Sequence, residues 1–315
     1  MQFSPQQDAA LIAVARWLKE GRPQLFRLFG YAGAGKTTLA RHIAENAGGD
    51  VAFAAFTGKA AHVMRQKGCA GASTIHALIY RPAGAEEEGA PMFALRRDAP
   101  ASKADLIIID ECSMVDEELG RDLLSFGKPV LVLGDPAQLP PVKGGGFFTE
   151  AEPDVMLTEI HRQAADNPII RLSMAIRAGE PFDEHSEECR LVSKRDISTD
   201  EIMAADQILV GANRTRKRYN ARLRELNSFS DDTPEAGEKL VCLRNNKKKG
   251  LLNGGVWRVE ERLAPRSGRV RLSLRPEEGG RAINVSALRA FFLEGPESVP
   301  WAQRKSADEF DFGYA

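Results

Sequence analysis

The segment that most narrows what this chain can fold into is Gly30-Tyr-Ala-Gly-Ala-Gly35-Lys36-Thr37, a GxxxxGK[ST] run. It follows an apolar run, Leu25 to Phe29, with strand character, and it precedes a helix expected from Lys36 to about Ala47 that stops at Gly48-Gly49. Glycines in such a loop let the backbone wrap an anion so that successive N–H groups point inward. The helix N-terminus adds its dipole and its free donors. Lys36 can reach the β- and γ-phosphates of a nucleotide, and Thr37 can offer a hydroxyl to Mg²⁺. Gly33, Ala34, Gly35, Lys36, Thr37 and Thr38 are therefore expected to cradle the phosphates of ATP. A chance match in a chain this long is on the order of one in a hundred.

The surrounding pattern agrees with that opening. Residues 8–20 (DAALIAVARWLKE) place Leu11, Ile12, Val14, Ala15 and Leu18 mostly on one helical face. Val51 to Phe56 is strand-like and is followed by a helix from Lys59 to about Gln66. Leu106 to Ile109 and Val130 to Leu133 are fully apolar, as strands covered on both faces are. Strands alternating with helices predict an α/β fold with a parallel sheet and crossover connections. Residues 80–104 break the alternation with a stretch rich in Ala, Pro, Gly and charge, a hairpin excursion or a mobile loop. Beyond about residue 150 the pattern is helical to Gly179. Residues 238–293 then read as four short strands (239–243, 255–260, 269–274 and 281–285), a small β-rich insert with edges near Gly237 and Pro296.

Two strand ends carry polar residues suited to the same site. Asp110-Glu111 closes the strand Leu106–Ile109, at the rim where α/β sheets bind ligands. Asp110 is placed to hold the water shell of Mg²⁺, and Glu111 to orient and deprotonate an attacking water. An acidic helix start is the competing reading, because Asp116-Glu117-Glu118 follow. Gly134-Asp135-Pro136-Ala137-Gln138 closes the next strand, and Gln138 could contact a γ-phosphate or its water. Alone, that segment reads equally well as a turn.

Bulk composition is less decisive. The 315 residues carry 43 basic and 44 acidic side chains, a net charge of −1, so a nucleic-acid partner would need local basic patches. Ala212 to Arg224 is one, with Arg214, Arg216, Lys217, Arg218, Arg222 and Arg224 and no acid; Lys247-Lys248-Lys249 is a smaller one. Both also read as a solvated helix face and a loop tip. Cys69, Cys112, Cys189 and Cys242 have no CxxC spacing, which argues against a disulfide framework or a zinc site and predicts a reducing, cytoplasmic setting. No apolar run approaches the roughly 20 residues of a membrane span, and MQFSPQQDAA lacks the layout of a secretion signal.

The order of motifs resembles superfamily 1 helicases, and within them the RecD-like and Dda-like group, superfamily 1B. The matching segments are FSPQQ at 3–7, GYAGAGKTT at 30–38, FTGKAA at 56–61, STIHALI at 73–79, DECSM at 110–114 and GDPAQLPPV at 134–142. LTEIHRQ at 157–163, ILVGANRTRKRYN at 208–220 and LLNGGVWRV at 251–259 follow, so the resemblance covers nearly the whole chain. It implies a RecA-like P-loop domain at 1–150 with a hairpin insert at about 80–104. It further implies an incomplete second RecA-like domain at 151–237 and 301–315, carrying an SH3-like β insert at 238–300. By the same resemblance Gln7 would recognise adenine, Gln138 would couple the γ-phosphate to the DNA path, and Arg162 would reach that phosphate from the second domain. Thr57, Lys59 and His76 lie in segments that resemble single-strand contacts, although His76 also reads as a satisfied core histidine. Phe93 would sit at the tip or flank of a strand-separating hairpin, or anchor it. His42 and His161 read as structural.

The expected activity is ATP-driven movement of a monomer along single-stranded DNA, with 5′ to 3′ polarity implied by the resemblance and RNA not excluded. The family continues into a TVHKxQG-like segment and a TRA-like arginine; neither follows FDFGYA here. That departure predicts an impaired motor and a truncated second domain. A nucleotide-dependent single-strand-binding module with little turnover, and a P-loop ATPase acting on protein, are the readings from other classes.

Overall fold

The computed structural model describes residues 3–85, 91–141, 144–159, 167–181, 186, 188–246 and 248–315. The chain divides into two compact units, one built from Met1–Ala83 and Phe93–Leu191, the other centred on Val192–Ala315. The first unit therefore extends past the boundary expected at residue 150, because a strand and a helix beyond that point pack with it.

The first unit is a six-stranded parallel sheet of RecA-like type. Its strands are β1 (Leu25–Gly30), β2 (Val51–Ala55), β3 (Ser73–Thr74), β6 (Leu106–Asp110), β7 (Val130–Gly134) and β8 (Val155–Leu157), in the order β3-β2-β6-β7-β1-β8. Every residue of β6 and of β7 is buried, as their unbroken apolar runs require. One core layer, with Leu28, Leu39, Ile108 and Leu133, lies under the helices Pro5–Glu20 and Lys36–Asn46. Another, with Phe29, Ile75, Ile107, Leu123 and Val132, covers the opposite face. The register sets Phe29 beside Gly134 and Ile109 beside Val132. The ends of three adjacent strands, β6, β7 and β1, thus share one rim. Gly134 belongs there because an added Cβ would stand 2.6 Å from the Cys112 sulfur.

The excursion at 80–104 contains a two-stranded sheet, β4 (Tyr80–Ala85) and β5 (Pro91–Leu95), which settles the choice between hairpin and loop. Phe93 lies within β5, on the flank of the hairpin. Its ring is 5.7 Å from His76 and 6.2 Å from Tyr80.

In the second unit the β-rich segment forms a five-stranded antiparallel sheet, ordered β12-β11-β10-β9-β13. Its strands are β9 (Lys239–Cys242), β10 (Val256–Arg266), β11 (Arg269–Pro276), β12 (Ile283–Leu288) and β13 (Phe310–Phe312). The last strand comes from the region assigned by resemblance to a second RecA-like domain, yet it pairs with β9. The reason is local. Phe310 and Phe312 are buried in this sheet's core, and buried Asn220 donates to the Phe312 carbonyl at 2.7 Å.

The same contacts dissolve most of the basic run. In the helix Asn213–Leu226, Arg216 pairs with Asp311 at 2.9 Å, Lys217 with Glu297 at 2.6 Å, and Arg222 with Glu225 at 2.9 Å. Arg224 forks onto fully buried Glu238, at 2.6 and 3.0 Å, with its guanidinium carbon 4.0 Å from the Phe312 ring centroid. Removing one partner of a buried pair strands the other charge. Arg224→Met is expected to destabilise the second unit by about 3–5 kcal/mol. Urea unfolding followed by Trp257 and Trp301 fluorescence in a Trp17→Phe background checks this; an unmoved midpoint contradicts it.

Candidate nucleotide site

The phosphate loop is set by its backbone. Gly33 and Gly35 hold φ of +81° and +82°, a region that disfavours side chains, and a Cβ at Gly30 would meet that of Leu157 at 2.8 Å. Gly35 is the N-cap of the helix Lys36–Asn46 and supplies no side-chain cap. The amides of Lys36, Thr37 and Thr38, in the first turn, thus have no intrahelical acceptor. Such an uncapped, glycine-led helix start matches a phosphate in charge and in donor direction. The Lys36 ammonium donates to the carbonyls of Gly30 at 2.8 Å and Tyr31 at 3.1 Å. Burial lowers its pKa, and the nearby Glu111, Asp110 and Asp135 charges oppose that shift.

Across the rim, the Thr37 hydroxyl donates to Asp110 Oδ2 at 3.0 Å, and the Glu111 amide donates to Asp110 Oδ1 at 2.9 Å. Glu111 takes a left-handed φ of 55°, unusual for a non-glycine residue. Burial raises its pKa, repulsion from Asp110 adds to the rise, and Lys36 opposes it. Among the described residues no cluster of three or more His, Cys, Asp or Glu side chains could cage a metal. One hydroxyl and one carboxylate do fit Mg²⁺, which keeps several waters and takes phosphate oxygens for the rest.

The remaining predicted residues fall out unequally. Gln7 is buried, accepts from the Ser4 amide at 3.0 Å and donates to the Ala34 carbonyl at 3.0 Å. It ties the start of the first helix to the phosphate loop. Half-buried Gln138 sits in the turn after β7. The Thr57 hydroxyl caps the helix Gly58–Gln66 by accepting from Ala60, and Lys59 is exposed on the first turn of that helix. The ring of half-buried His76 lies 5.5 Å from that of Tyr80, and burial lowers its pKa, so it stands neutral near pH 7. Arg214 is exposed, whereas Arg216 is held in its ion pair with Asp311 and does not face solvent as a nucleic-acid contact would. Lys249 is likewise engaged by Asp308, at 2.5 Å. Arg162, His161 and Lys247 lie outside the described residues.

Sequence reasoning missed Arg177. It reaches the rim from the last turn of the helix Pro168–Ala178 and forks onto fully buried Asp135. A basic residue near a helix C-terminus reads as ordinary dipole compensation, so it carried no flag. The available signal was Asp135, a carboxylate directly after a buried strand, which demands a cation.

The comparisons with known proteins agree with this geometry. The family described as AAA domain matches residues 2–195. The chain belongs to that family. An ATP-dependent RecD2 DNA helicase of Deinococcus radiodurans is 38% identical over 167 residues, covering 50% of this chain and 22% of the relative. An ATP-dependent DNA helicase PIF1 of Mus musculus is 30% identical over 228 residues, covering 64% of this chain and 34% of the relative. The chain therefore spans between a fifth and a third of the length of these curated relatives. Among solved structures, Pif1 helicase from Bacteroides in complex with ADP-AlF3 and single-stranded DNA aligns with a TM-score of 0.51 at 22% identity. That alignment covers 91% of this chain and 75% of that one, and at such identity it shows the fold. With the motif order, these likenesses make the AAA-family chain similar to RecD2 and PIF1 helicases.

Lys36→Ala is expected to weaken ATP binding by at least about tenfold, since it removes the ammonium beside the uncapped helix start. Titration with a fluorescent ATP analogue checks this; undiminished affinity contradicts it. Glu111→Gln is expected to keep nucleotide affinity while hydrolysis falls by about 10²–10⁴, measured as single-turnover phosphate release.

Proposed function

We propose that this chain is the ATP-hydrolysing motor portion of a DNA helicase, moving on single-stranded DNA. The observation that carries the reading is the convergence, at the ends of β1, β6 and β7, of loop amides, Lys36, Thr37, Asp110 and Glu111. In this reading the loop amides and Lys36 take the phosphates of ATP, the ammonium exchanging the Gly30 and Tyr31 carbonyls for phosphate oxygens. Thr37 and Asp110 would hold Mg²⁺, which would supply positive charge to the phosphate oxygens. Glu111 orients the attacking water and accepts its proton at the carboxylate, a task that its upward-shifted pKa suits. Gln138, in the turn after β7, would contact the transferred phosphate, and Gln7, which donates one amide hydrogen to Ala34, would offer the other to the adenine. By the family resemblance Arg162, which lies outside the described residues, would serve the same phosphate.

The hairpin is proposed as the element that meets the fork. His76, Tyr80 and half-exposed Phe93 offer aromatic surface for a base, worth about 1–3 kcal/mol per stacked base. Thr57 and Lys59 would contact the strand, and Arg214, an exposed member of the basic run, would meet a phosphate. The five-stranded sheet would play the part of the SH3-like insert. The relatives' names support DNA as partner, and movement from 5′ to 3′ as a monomer in the cytoplasm completes the proposal. Among the described residues no helix is long and apolar enough to cross a membrane.

Steady-state phosphate release, measured with and without single-stranded DNA, tests the reading. Stimulation by DNA is expected. DNA binding without stimulation would instead indicate a binding module, and indifference to DNA would indicate a protein-directed ATPase. The raised Glu111 pKa places the acid limb of the rate profile above the ordinary glutamate value of about 4.3. The base works only when ionised, so activity should fall as pH drops through that raised value. A limb at the ordinary value would contradict this role for Glu111.

A further inference from the structure

Asp135 is fully buried and is the first residue after β7. Arg177 meets it edge-on, NH1 to Oδ1 at 2.7 Å and NH2 to Oδ2. A planar fork of this kind fixes orientation as well as charge. Asp135 has a second task. Its Oδ1 accepts from the Ala137 amide and its carbonyl accepts from the Gln138 amide, both at 3.1 Å. One residue therefore shapes the whole turn that carries Gln138. Burial alone would raise the Asp135 pKa, but the Arg177 fork and the Ala137 amide outweigh it and keep the carboxylate ionised.

Arg177 reaches the other way as well. Its guanidinium carbon lies 4.9 Å from the centroid of the Tyr31 ring, in the phosphate loop. The Tyr31 carbonyl accepts from the Lys36 ammonium at 3.1 Å and from the Ala34 amide at 3.2 Å. A single side chain thus spans the loop that holds Lys36 and the turn that presents Gln138. A buried pair that served only to fasten a helix could be replaced by apolar residues of similar volume. The fork and the ring stack instead link two phosphate-facing segments.

We propose that Arg177 is a positioning residue. Through Asp135 and Tyr31 it holds the Gln138 turn and the phosphate loop at one separation, complementary to phosphate in transfer more than to nucleotide at rest. This rests on the nucleotide reading above, so its test separates the two. The affinities of wild type, R177K, D135N and Y31L are measured for Mg²⁺–ADP alone and for Mg²⁺–ADP with aluminium fluoride, a mimic of the phosphoryl group in transfer. Thermal melting of each variant accompanies the titrations. R177K keeps the charge but not the fork, D135N keeps the shape but not the charge, and Y31L keeps the ion pair but not the stack.

Wild type is expected to hold the fluoride complex more tightly than ADP. R177K and D135N are expected to keep ADP affinity within about twofold while losing about tenfold for the fluoride complex. Should either fail to melt cooperatively, Y31L decides, with an expected loss of about threefold in discrimination. Three results overturn the proposal: equal loss of both affinities, loss of neither, or a wild type that does not discriminate. Lys36→Ala is the separate control. Unchanged ADP affinity there would sink the nucleotide site itself and not the role of Arg177.

Discussion

The structure turns on one hydrogen bond, from the Thr37 hydroxyl to Asp110 Oδ2. It joins the first turn of a helix that follows β1 to the last residue of β6, two strands away in the sheet. For that bond to form, β1, β7 and β6 must lie side by side and parallel, with their ends level. The amides of an uncapped helix start, an ammonium, two carboxylates and the turn after β7 are then carried to one rim. Elsewhere the first unit buries apolar surface above and below the sheet, which keeps these ends in register.

Charge at this rim is arranged as a set. Lys36 is held by carbonyls of its own loop and balanced by Glu111, Asp110 and Asp135. Asp110 engages both oxygens with neighbours, one with Thr37 and one with the Glu111 amide. Burial, with the Asp110 charge adding to it, shifts the proton affinity of Glu111 upward. Asp135 is answered by Arg177. Two carboxylates at one rim thus receive opposite shifts from their surroundings, Asp135 held ionised by Arg177 and Glu111 raised by burial.

Much of the first unit was legible because its signals are local. An unbroken apolar run announces a doubly covered strand, and GYAGAGKTT announces a loop whose positive φ angles only glycine takes easily. What was not legible depended on distant partners. Arg216 looked like a free cation beside Arg214, but its neutralising acid, Asp311, lies 95 residues on, in a strand whose pairing with β9 no periodicity reveals. Arg177 looked like a helix end because Asp135 is remote in sequence. Gln7 was read for what it could recognise, whereas its capping bond and its bond to Ala34 show what it holds.

The most direct measurement of the central claim is a crystal structure of the protein with ADP, beryllium fluoride and Mg²⁺. The account predicts that the Lys36 ammonium leaves the Gly30 and Tyr31 carbonyls for the phosphate mimic, with Thr37 and Asp110 on the metal side and Glu111 facing the fluoride. Nucleotide bound elsewhere, or a Lys36 ammonium still seated on its loop carbonyls beside bound nucleotide, would contradict it.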